Sequence, residues 1–457
     1  LSGAERSDRN RGETVTSMSR VTARYISELS GIEVSGDDFA TNNSFNSRLA
    51  TGRALGECRR NTRVSRNSSN MAPAIPTGRD LRLDLFRGIA LWLIYLDHIP
   101  SNIVAWITIR NYGFSDATEI FIFISGFTAA FVYGRAMTDY GFLVASARIE
   151  KRAWQIYVAH IFLFVIYMGQ IAYVARGFQN PLYAEEMNIL EFLQQPDVTL
   201  VQALLLKFKP VNMDVLPLYI VLMALFPPVL WLLLRNATVA LALSVGLYAL
   251  TWEFGWNLPA YPSGVWFFNP FAWQLLFVFG AWCALGGAEK LHGLVHSRFA
   301  LWLAVAYLVF AFAITLTWHI PRLEPLVPKG LADHIYPIDK TNLDVMRFAH
   351  FLALATITVY FVPRDWPPLK SRWLKPAILC GQHSLEIFCL GVFLAFAAHF
   401  VKVEISPGIP MQIAVSVLGI LIMIGVAWLL TWYKGATERR TAKRAADQKT
   451  ALAGGEE

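Results

Sequence analysis

From residue 86 onward, long apolar runs alternate with short polar loops. Ten runs have helical length, near 86–106, 116–135, 154–175, 215–234, 237–254, 270–287, 299–318, 346–362, 376–399 and 411–433. A helix needs about 20 mostly apolar residues to cross a hydrocarbon core roughly 30 Å thick. The pattern therefore predicts an all-α polytopic membrane protein with about ten transmembrane helices, and no internal repeat is visible. Residues 1–78 differ. They are rich in Arg, Ser and Asn, and hold no lysine and no long apolar run. That stretch is expected to be a disordered leader. The chain opens with Leu1, and Met71 begins a plausible compact start, so 1–70 is read as an over-extended start site. The membrane domain is placed at 79–434 and a charged tail at 435–457.

Charge gives the sequence a direction. Basic residues gather in every second loop: Arg79, Arg82 and Arg87; Arg135, Arg148, Lys151 and Arg152; Arg235; Lys290 and Arg298; Arg364, Lys370, Arg372 and Lys375; Lys434, Arg439 and Arg440. By the positive-inside rule these loops and both termini are cytoplasmic. The net charge of +7 is thus a product of membrane topology, and the chain shows no basic face or motif for nucleic acid. Its four cysteines, Cys58, Cys283, Cys380 and Cys389, have no paired spacing. That excludes a disulfide framework and a CxxC zinc site, and no metal site is expected.

The densest chemistry lies between 82 and 134. Ionisable groups inside apolar spans are costly and point to function. Arg87 and His98 are eleven residues apart, about 16 Å and three turns along one helix face. Arg87 at a cytoplasmic mouth can hold a phosphate, and His98 on the outer half can act as a general base. The plain alternative is a topology anchor and a satisfied core histidine. Asp97 adjoins His98, while Asp116 and Glu119 share a face of the next span. Any of the three carboxylates can orient a catalytic imidazole, or form an interfacial cluster. Ser125-Gly126 reads as a helix-packing pair. Arg148 and Arg152 suit the phosphates of a nucleotide-bearing donor, or anchor the fold. Asn269, Gln274, Asp339, Lys340, Asn342 and Arg347 fall at the outer ends of later spans. They can bind a polyhydroxyl acceptor or cross-link helices, and Arg347 can pair with Glu386.

Several runs together resemble a known family: RLDLFRG (82–88), DHIPSN (97–102), GFSDATEIFIFISG (113–126), DVLPLY (214–219), FNPFAWQ (268–274), DKTNLD (339–344) and HSLEIFC (383–389). They are similar to the OpgC family of osmoregulated periplasmic glucan succinyltransferases, within the type-3 membrane acyltransferase superfamily. The resemblance implies a multi-pass enzyme of the bacterial inner membrane. It would move an acyl group, succinyl by the family pattern, from cytosolic acyl-CoA to a periplasmic glucan hydroxyl. It makes His98 the catalytic residue and Arg87 and Arg152 donor contacts. Acyl-CoA, a glucan and the bilayer are the implied partners, with no permanently bound cofactor. The superfamily's second histidine is missing, because Phe388-Cys389-Leu390 stands in its place. The rival class is a non-enzymatic transporter or flippase for a sugar or acyl carrier.

Overall fold

The computed structural model describes residues 80–177 and 182–453; the expectations for the leader at 1–78 lie outside them. Within the described residues the fold is helical, with one isolated bridge between Pro259 and Val265. The helices that matter here are α1 (Leu81–Asp97), α2 (Ala117–Gly177), α3 (Val215–Ala224), α4 (Phe226–Arg235), α5 (Ala237–Phe254), α6 (Pro270–Trp282), α7 (Arg298–His319), α8 (Val345–Phe361), α9 (Lys375–Gln382), α10 (Ser384–Glu404) and α11 (Ile409–Ala453).

Every one of the ten apolar runs is helical, but fewer helices have the length and composition to cross a membrane. Among the described residues six do, or up to seven when the bent pair α3–α4 counts as one. Local features of the chain explain the shortfall from ten. The runs at 116–135 and 154–175 lie on one 61-residue element, α2, broken only at Gly141 with φ 84°. Helix α1 stops after 17 residues, at Asp97 rather than 106, because Pro100 cannot continue a helix. Helix α8 also has only 17 residues. The run at 376–399 is split at His383, which separates α9 from α10. The 55° bend between α3 and α4 falls at Leu225, just before Pro227 and Pro228.

Small residues set the helix spacing around the site. A side chain at Gly88 would strike the Ala377 carbonyl, and one at Gly381 the Asp84 carbonyl, so α1 and α9 meet backbone to backbone. Gly126 and Gly280 do the same for α2 and α6, facing Phe277 and Phe123. Ser125 turns its hydroxyl back on Phe121 O at 2.7 Å. Both members of the Ser125-Gly126 pair thus serve packing.

The connection between α2 and α3 is more than an irregular loop. Its described part holds three short helices, Leu182–Glu186, Leu190–Gln194 and Pro196–Leu204. They pack along α2: Phe164 meets Phe192 and Phe208, and Tyr157 donates to Leu204 O at 2.9 Å. The segment ends with Phe208, Lys209 and Met213 all buried.

Candidate active site at the end of helix α1

Asp80 caps the start of α1 by accepting from Arg82 N, and His98 closes its end with its own N–H on Ile94 O at 3.0 Å. The imidazole of His98 therefore leaves the helix at its tip. Its Nδ1 is buried and finds no hydrogen-bond partner among the described residues. Lys340, Asp116 and Arg110 lie within electrostatic reach of the ring. The segment before α3 adds Asn212, whose Nδ2 lies 3.4 Å from His98 O. Asp97, the neighbour, accepts from Thr108 Oγ1 at 2.7 Å and faces Arg110 Nε at 3.8 Å.

Asp116 and Glu119 open α2 as a reciprocal cap. Asp116 Oδ1 accepts from Thr118 N at 2.8 Å, and Glu119 Oε2 accepts from Asp116 N at 2.9 Å. Two cations cross from later elements. Lys340 Nζ lies 2.6 Å from Asp116 Oδ2, and the Arg347 guanidinium lies 3.2 Å from Asp116 Oδ2 and 2.6 Å from Glu119 Oε1. Sequence reasoning expected Glu119, with Asp97 or Asp116, to orient His98. Among the described residues no carboxylate hydrogen-bonds the His98 ring: Asp116 and Glu119 are engaged by the cap and by Arg347, and Asp97 by Thr108. Arg347 pairs with these two acids and not with Glu386.

The remaining polar residues divide by location. Arg87 is buried and donates to Thr128 Oγ1 at 2.6 Å and Ile124 O at 3.1 Å, tying α1 to α2. Eleven residues of helix separate it from His98, so the two are not brought together. Arg148 lies over the Tyr140 ring at 4.7 Å, and Arg152 reaches Gln155 at 3.4 Å. Both follow Gly141, which is 24 residues or about 36 Å of helix from Ala117. They mark the opposite end of the bundle from His98.

Four of the six proposed acceptor residues knit elements together. Asn269 caps α6 and donates to Trp256 O at 2.6 Å and Asn342 Oδ1 at 2.8 Å. Asp339 accepts from Thr341 N and from Asn342 Nδ2. Gln274 accepts from Ser244 Oγ at 2.6 Å and donates to Ser244 O at 2.8 Å, which staples α5 to α6.

Arg110 and Lys209, not singled out from sequence, join Asp214 of the DVLPLY run and His350 of the 338–350 stretch near the site. Arg110 reaches Asp97 from the turn after α1. Lys209 and Asp214 arrive on the buried segment; Lys209 Nζ sits 4.0 Å over the Trp266 ring. His350 is buried, with Nδ1 2.7 Å from Ser115 Oγ and accepting from Ser115 N at 3.3 Å. His350 was visible in the sequence at the outer end of its span, three residues after Arg347 and so on the same helix face.

The family model described as OpgC protein matches residues 79–435. This chain belongs to the OpgC family. No curated protein and no solved structure gives a significant match. The OpgC match covers α1 through the apolar part of α11, so it includes every site residue named above. OpgC membership and the apolar helices together fit a multi-pass membrane protein with a transferase role.

Proposed function

We propose that this chain is a membrane O-acyltransferase that moves an acyl group, succinyl by preference, from cytosolic acyl-CoA to a periplasmic glucan hydroxyl. The bacterial inner membrane is its place, with the Arg148 end cytoplasmic and the His98 end periplasmic. The observation that carries the reading is His98: an imidazole at the tip of α1, with Nδ1 uncommitted, among groups of both charges.

In this mechanism the acceptor O–H donates its proton to the free His98 nitrogen as the oxygen attacks the thioester carbonyl. The C–S bond breaks, an ester forms, and the CoA thiolate leaves and regains a proton. Lys340, within reach of His98 and only part-buried, supplies positive charge for the developing oxyanion or for a succinyl carboxylate. Asp97, held by Thr108 and Arg110, fixes the turn that carries the histidine. Arg87, Arg148 and Arg152 serve the donor, with the two loop arginines gripping phosphates. Asp116, Glu119 and Arg347 keep α2 and α8 in register, so that Lys340 stays beside His98.

One experiment tests both class and residue. A strain lacking the gene is complemented with wild-type or His98→Ala protein, and its periplasmic glucans are run on anion exchange. Wild type restores anionic, succinylated glucans. His98→Ala leaves them neutral, with in vitro transfer down about 10²–10⁴-fold. Unchanged anionic glucans in the deletion strain, with no second succinyltransferase present, would favour a transporter instead. Full transfer by His98→Ala would remove the histidine from the mechanism.

A further inference from the structure

The turn between α1 and α2 is built around an open depression of about 460 Å³. That is a volume typical of small-molecule sites. Asp97 lines it, and His98 is the next residue along the chain. Trp106, Arg110 and Asn111 line the other side, and Ile409 and Gln412 of α11 complete it.

Its chemistry is specific. Trp106 is 44% exposed, yet its indole is held at 4.4 Å from the His319 ring. A fixed, accessible aromatic face suits the C–H face of a pyranose. Arg110 keeps half its side chain exposed and faces Asp97 at 3.8 Å. The pair offers donors and acceptors to hydroxyls while cancelling each other's charge. A phosphate or carboxylate would meet Asp97 as well as Arg110, whereas a neutral polyol meets no like charge.

The floor is locked from three directions. Lys402 of α10 donates to Pro100 O at 2.6 Å and Ser101 O at 2.9 Å. Asn102 donates to Ser416 Oγ at 3.0 Å, and Gln412 Oε1 accepts from Ile103 N at 2.6 Å. His319 Nε2 lies 3.2 Å from Asn111 O. A turn tied to α7, α10 and α11 keeps its shape before a ligand arrives, and less binding free energy is lost to ordering.

We infer that this depression is the acceptor subsite, where the end of a neutral gluco-oligosaccharide stacks on Trp106 and hydrogen-bonds to Asp97 and Arg110, presenting a hydroxyl toward the end of α1 that carries His98. The inference rests on the acyltransferase reading and names its acceptor site. It also sets a direction: a succinylated chain carries a carboxylate toward Asp97 and leaves.

The test uses the full chain in lipid nanodiscs. Binding of a radiolabelled β-linked gluco-oligosaccharide is measured by equilibrium dialysis, and transfer from succinyl-CoA is measured against both substrates. Trp106→Ala should raise the oligosaccharide Kd and the acceptor KM about tenfold, leave the donor KM unmoved, and be largely rescued by Trp106→Phe. Ala105→Trp, which fills the depression, should abolish oligosaccharide binding. Matching thermal midpoints show that each variant is folded. Wild-type transfer with unchanged acceptor KM in both variants would overturn the subsite and leave the enzyme reading intact. Trp106-dependent binding without any wild-type transfer would support the subsite and overturn the enzyme. Trp106-dependent binding of phosphatidylglycerol vesicles, with no sugar binding, would make this a lipid headgroup site and overturn the inference.

Discussion

Arg347 places one guanidinium within 3.2 Å of Asp116 and within 2.6 Å of Glu119, in a setting where Glu119 has no exposed surface. Removing one partner of a buried ion cluster leaves an uncompensated charge, at a cost of about 3–5 kcal/mol. Arg347→Met should therefore destabilise strongly and reduce the amount of folded protein in the membrane. The double variant Arg347→Met, Glu119→Gln should recover much of the loss, since the second change removes the stranded charge. Thermal unfolding in detergent, read as a double-mutant cycle, checks this; strictly additive losses would show that the two side chains do not interact. The residues of this cluster were visible in the sequence as misplaced charges. Their pairing was not, because residues 116 and 347 are brought together only by the packing of α8 against α2. The same limit applies to Asn269 and Asp339. Their types suggested sugar ligands, while the folded chain uses their polar atoms for a cap and a tight turn.

At the scale of elements, the segment before α3 stands apart. Lys209 enters it as a buried cation, and burial lowers its ammonium to about 8. The unfolded chain keeps that proton up to about pH 10. Below about pH 8 the folded protein carries the buried charge and is less stable for it. Between pH 8 and 10 only the unfolded chain is still protonated, so stability rises with pH. The Trp266 face offsets part of this cost. Lys209→Met should thus raise the thermal midpoint at pH 7, by the equivalent of about 1–3 kcal/mol, and the advantage should shrink toward pH 10. An advantage that does not change with pH would argue against a buried charge as its source. Apolar periodicity located all ten helical runs. It did not reveal where one element continues through a turn, as at Gly141, or stops early, as at Asp97. Those outcomes depend on a single glycine and a single proline. The connection between α2 and α3 falls between the apolar runs because its helices are short and its acids are many. Its burial comes from aromatic contacts with α2 that no local pattern encodes.

For the whole molecule, the informative arrangement is the separation of two chemistries along α2. Asp116 and Glu119 begin the helix paired with Lys340 and Arg347, and Arg148 and Arg152 follow Gly141 at the far end. That polarity was legible from alternating loop charge, and the family's matched runs supplied the chemistry. The cavity beside Asp97 was not legible, because Gln412 and Lys402 reach it from more than 300 residues away. Gly141 has open space where a side chain would be, and residues 138–144 around it are all exposed. It is a natural seam in the polypeptide, a place where a foreign sequence can be spliced in without entering either chemical centre. An epitope inserted there should leave glucan modification intact and bind antibody in spheroplasts only after permeabilisation; binding to intact spheroplasts would reverse the proposed sidedness. On the proposed reading, a fluorescent domain carried at Gly141 would act as a cytoplasmic flag, riding at the end of the molecule far from His98.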